Sequence, residues 1–123
     1  MALKGLNSFL SFDLMRFLIG KRLVYVKAET WLEDEGDKKV EVGSKVTVQI
    51  IEDNTKYSNE EHSNFGEQLV VKVRGITPSA YQKHKPLSTE VVITEVEKAV
   101  LYGDYRNQLS VIAVVNIKNE SKV

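Results

Sequence analysis

The stretch Lys21-Arg22-Leu23-Val24-Tyr25-Val26-Lys27-Ala28-Glu29-Thr30-Trp31-Leu32 decides the fold class, because the apolar period changes there from helical to alternating. Leu23, Tyr25 and Lys27 point to one side and Val24, Val26 and Ala28 to the other, which suits a strand with two partly buried faces. Downstream, the polar cluster from Glu33 to Lys39 holds Gly36 and predicts a hairpin loop. Val40 to Val42 and Lys45 to Ile51 carry β-branched residues at period two, so they read as two strands divided by a turn at Gly43-Ser44.

Further along, Glu52 to Glu67 has no period and reads as a long surface loop, with Tyr57 and Phe65 as anchors or partner contacts. Gln68 to Arg74 is the next strand. Thr77 to Lys85 is a turn or a single short helix with Pro78 in its first turn. Thr89 to Leu101 and Leu109 to Val115 flank the Gly-containing turn from Tyr102 to Asn107 and form an antiparallel hairpin. About six short strands with few helices predict a mainly β fold, a small antiparallel β-barrel or sandwich.

Upstream, residues 1–20 are the most apolar part of the chain. Leu3, Leu6, Leu10, Leu14, Phe17 and Leu18 recur at helical spacing, with Asn7 or Ser8 as a cap and Gly20 as a stop. Phe9, Phe12 and Met15 lie off that stripe, so the helix needs partners on two sides. It is expected to pack on the domain or to form an oligomer or partner contact, with Leu6, Phe9, Leu10, Phe12 and Phe17 as contact candidates. Lys4, Asn7, Asp13 and Arg16 interrupt any membrane span, and no small-residue cleavage site follows Gly20. A cytoplasmic protein is expected, built as one domain with a helical segment 1–20, a β-rich body 21–118 and a polar tail 119–123.

The 123 residues are 42% hydrophobic, which is too apolar for compositional disorder, and the absence of cysteine excludes disulfide scaffolds and thiolate metal sites. Seventeen basic and seventeen acidic side chains cancel overall but are unevenly placed. Residues 1–28 hold five basic and one acidic, residues 29–67 four and eleven, and residues 68–123 eight and five. The middle is therefore acidic and both ends are mildly basic.

No chemical signature of an enzyme is present. His62 and His84 sit in polar segments without a nucleophile nearby, and no phosphate-cradling glycine motif or nucleophile elbow occurs. The acidic run at 33–37 lacks calcium-loop spacing, and neither a metal nor a cofactor is expected. What remains is an interleaving of cations and rings in the C-terminal half: Lys72 and Arg74 on one strand face, Tyr81, Lys83 and Lys85 in the following loop, and Tyr102, Tyr105 and Arg106 at the hairpin tip. Cations along a backbone with rings under the bases are how small β-barrels hold single-stranded nucleic acid. Trp31 reads as a core residue.

The succession GEQLVVKVRG, a Pro-containing turn and then LSTEVVITEVEKAVLYGDYRNQLSVIAVVNI resembles a family of small uncharacterised-domain proteins encoded on conjugative elements of Gram-positive bacteria. The corresponding elements are Gln68 to Val73, Glu90 to Val100, and Leu109 to Val115 with Ala113. The resemblance covers about half the chain. It implies an accessory role in DNA replication or conjugative transfer, since some such proteins are processivity factors for a helicase, and it brings no catalytic residues. The expected partners are single-stranded DNA and a helicase or other DNA-processing protein. The alternative is a structural or assembly protein of a phage or mobile element that acts through its apolar N-terminal segment.

Overall fold

A two-residue turn at Gly36-Asp37 joins two long antiparallel strands, β1 (Lys21–Glu35) and β2 (Lys38–Asp53). Gly36 has φ of +65°, a left-handed conformation that glycine adopts without steric cost. The acidic cluster expected in the loop belongs instead to the strand end, where Glu35 faces Lys38 and Asp34 faces Lys39. The computed structural model describes residues 3–4, 12–57, 63–102 and 108–118, and of Tyr102 the backbone alone. The remaining strands are β3 (Gln68–Arg74), β4 (Glu90–Tyr102) and β5 (Gln108–Ile117).

The strand number is five rather than six, because β2 runs without a break through Gly43-Ser44. Both residues are paired on both sides, Gly43 with Trp31 and Arg74, Ser44 with Thr30 and Val73. A Cβ built at Gly43 would lie 1.9 Å from the Val73 carbonyl oxygen, so this glycine serves a close backbone approach and not a turn.

The strands close in the order β1-β2-β3-β5-β4, with β4 returning to β1 through Leu23 opposite Val91 and Val24 opposite Glu90. Three consecutive strands with the fourth laid beside the first is a Greek-key arrangement. Closure also corrects the expectation of a wholly antiparallel sheet. Five strands in a ring cannot all alternate, and the mismatch falls between β3 and β5, which run parallel through Val71–Val111 and Lys72–Ile112.

Alternating β-branched residues fill the interior: Val46, Val48 and Ile50 of β2, Val71 and Val73 of β3, and Val111 and Val115 of β5. Each such side chain contributes about 1.5–3 kcal/mol on leaving water. In β1 the phase differs from simple alternation. A register shift between Tyr25 and Lys27 puts Ala28 into the core with Leu23 and Tyr25, while Lys27 turns outward.

Each barrel end has its own plug. One helical turn, α1 (Leu14–Leu18), is capped by Asp13, whose Oδ1 accepts from the Arg16 N–H, and Gly20 follows it at φ +81°. Leu14 is 2% exposed, and Phe12 and Phe17 pack beside the core in a T-shaped pair, with ring centroids 5.3 Å apart. Phe12 and Phe17, expected as partner contacts, are thus used on the chain's own core; Leu6, Phe9 and Leu10 lie outside the described residues. At the opposite end, α2 (Ser79–Gln82) inserts Tyr81, and no described helix is long and apolar enough to cross a membrane.

Candidate functional site

Lys45 of β2 stands directly opposite Lys72 of β3. Their neighbours Val46 and Val71 are fully buried, so by strand alternation both lysines are on the outer face. Lys98 of β4 faces Ile112 of β5 on the far side of a groove of about 620 Å³. Val70, Val100 and Leu109 supply its apolar lining, and Ser110 a hydroxyl. The groove exists because β3 and β5 meet only near Val71 and Lys72 and diverge before them, leaving Val70 and Leu109 as opposing walls.

Like charges directly opposite on a sheet are unfavourable by roughly 0.2–1 kcal/mol. Elsewhere on the barrel Arg22 and Lys118 are paired with Glu90, Lys27 with Glu29, which also faces Lys45 across the β1–β2 ladder, and Arg74 with Glu97. Among the described residues, none of Lys45, Lys72 and Lys98 has a carboxylate within 4.0 Å. The arrangement can therefore receive an extended anion from the open side without breaking an existing ion pair.

Beside the groove lies Trp31, the single tryptophan, 1% exposed. It is buried as expected but outside the core. Its cross-strand partner Gly43 has no side chain, and the indole reaches over β2 to the cations of β3. Lys72 Nζ is 5.4 Å and the Arg74 guanidinium carbon 5.2 Å from the ring centre. Arg74 Nε lies 3.0 Å from both carboxylate oxygens of Glu97, with Nη2 3.0 Å from Oε2.

Of the residues singled out in the sequence, Lys72 lines the groove and Arg74 adjoins it. Tyr81 does not join them. It is 7% exposed, and its hydroxyl donates to the Val115 carbonyl at 3.0 Å, so the ring is a core plug whose phenol is pushed upward in pKa by burial. Lys83 and Lys85 are exposed in the connection from α2 to β4 and are not brought to the groove. Tyr105 and Arg106 lie outside the described residues, as does the side chain of Tyr102. Lys45 and Lys98 were missed. Their outward phase in a strand was readable, but only the register unites them.

A second polar centre is structural. Asp53 and Lys21 are almost fully buried, 3.4 Å apart. Lys21 Nζ also donates to the Phe17 carbonyl and to Thr55 Oγ1, each at 2.7 Å, and lies 4.0 Å from the Phe17 ring centre. Burial opposes ionisation of Asp53, but the backbone N–H of Asn64, the Tyr57 hydroxyl, the backbone N–H of Thr55 and the Lys21 ammonium together hold its carboxyl below the ordinary range. This centre ties both described ends of the long loop to the barrel. Among the described residues no group of three or more His, Asp or Glu side chains is placed to hold a metal.

No family model matches the chain, and no match was found among curated proteins or solved structures.

Proposed function

We propose that this chain is a non-enzymatic accessory protein of DNA processing that holds single-stranded DNA by its phosphates along the lysine groove. The setting is the mobile-element replication or transfer implied by the resemblance of its C-terminal half, with a helicase as the neighbouring protein. The observation that carries this reading is the convergence of Lys45, Lys72 and Lys98 on one groove without a carboxylate partner among the described residues. Apolar side chains between the cations suit sugar and base faces, which a small inorganic anion would not use.

Architecture adds support by analogy alone. Five-stranded Greek-key barrels of the OB type bind oligonucleotides on the face of their second and third strands and with the loops joining strands 1–2 and 4–5. Here that face carries Lys45, Lys72 and Arg74, and Tyr105 and Arg106 fall in the sequence 103–107 that joins β4 to β5.

Fluorescence anisotropy of a labelled single-stranded oligonucleotide tests the proposal. Saturable binding that weakens with salt, and a loss of at least about tenfold in affinity for the Lys45→Ala, Lys72→Ala, Lys98→Ala triple variant, are expected. Absence of binding at low salt overturns it.

The assembly reading draws on Met15 and Ile19, 49% and 70% exposed around α1. Because Leu14 belongs to the core, deleting the whole segment would confuse assembly with unfolding. The double variant Met15→Ser, Ile19→Ser separates them, and an oligomer whose mass falls to that of the monomer would favour assembly.

A further inference from the structure

We propose that Trp31 is a covered stacking platform for a nucleobase and that Arg74, clamped by Glu97, is its lid; this rests on the reading of the groove as the DNA face. Trp31 lies on the outer side of the sheet over Gly43, beside Lys72, which itself lines the groove. Two cations stand over its ring, and cations are the groups that a phosphate chain entering the groove would recruit first. A cation–π contact and a half-exposed ion pair are both weak enough to be exchanged for phosphate contacts, and withdrawal of Arg74 opens the indole to the next base along the strand.

The lid is held by a distortion of β4. Thr94 faces Val114 and Lys98 faces Ile112, so Glu95, Val96 and Glu97 together stand opposite Ala113. Glu95 has φ of +47°, a left-handed conformation that a non-glycine side chain adopts under strain. Bulges of this kind re-aim a side chain, and this one brings Glu97 to Arg74 in fork-like hydrogen bonds. Arg74 therefore has two stations: Glu97 with the platform closed, and phosphate with the platform open.

The single tryptophan makes emission a direct reporter. Acrylamide quenching of the free protein is compared for the wild type, Glu97→Gln and, as a control for charge, Glu41→Gln. A deoxythymidine oligomer of about 15 nucleotides is then titrated into each, with anisotropy and Trp31 emission followed together. Expected are quenching about twofold stronger in Glu97→Gln than in the other two, affinity for the oligomer about two- to fivefold higher in Glu97→Gln than in Glu41→Gln, and loss of emission in step with binding. Quenching in Glu97→Gln equal to wild type overturns the lid. Oligomer binding with unchanged emission overturns the platform and leaves the groove standing. No oligomer binding overturns groove and platform together.

Discussion

A methyl group at Gly43 has nowhere to go, since the atom it would strike belongs to the backbone of β3 and not to a side chain that can swing aside. Gly43→Ala is expected to lower stability by about 3 kcal/mol, read as a lower urea midpoint at unchanged slope. The same substitution lifts the floor beneath Trp31, so its emission should shift in the folded state. At the other end of the barrel, Asp53→Asn leaves the buried Lys21 ammonium without its counter-charge. A loss of about 3–5 kcal/mol is expected in the same measurement.

Among the elements, the junction of β1 with β4 is short, and charge reinforces it. Glu90 receives Arg22 at 2.8 Å and Lys118 at 2.6 Å, and these hydrogen bonds pull its carboxyl from 4.5 to about 2. A carboxyl held below its ordinary value adds stability above that value and loses it as pH falls through the folded one. The melting temperature should therefore decline between about pH 4.5 and pH 2, and Glu90→Gln should flatten part of that decline. The elements were also what the sequence disclosed best. Valines at period two in β2 and β3 read directly as strands, and the β4–β5 hairpin was legible from its turn. Gly43-Ser44 misled because a glycine needed for close approach and a glycine needed for a turn look alike in one dimension. Tyr81 misled because a single helical turn offers no period from which to infer its inward face. Of the three groove cations only Lys72 was legible, read together with the adjoining Arg74 from their shared strand face. Lys45 and Lys98 required the register, which for Lys98 depends on a bulge in β4 that no local pattern announces.

Taken whole, the barrel brings Lys45, Lys72 and Lys98 to one groove, none with a carboxylate within 4.0 Å among the described residues, and the proposed ligand carries one charge per nucleotide. If all three meet phosphates of a single strand, the logarithm of affinity should fall with the logarithm of salt concentration at a slope of about −2, and Lys98→Ala alone should reduce that slope by about 0.7. Anisotropy across a salt series checks both values.

The ring closes at two narrow places, Val71–Val111 with Lys72–Ile112 and Leu23–Val91 with Val24–Glu90. Between them lie two broad leaves, one of β1, β2 and β3 and the other of β4 and β5. Lys45 and Lys72 ride on the first leaf and Lys98 on the second. A strand of DNA held by all three would act as a staple across a seam that the backbone itself fastens sparingly. Grip and cohesion then become one equilibrium: each opening of the leaves widens the groove and weakens the hold, and each occupied groove makes the opening rarer.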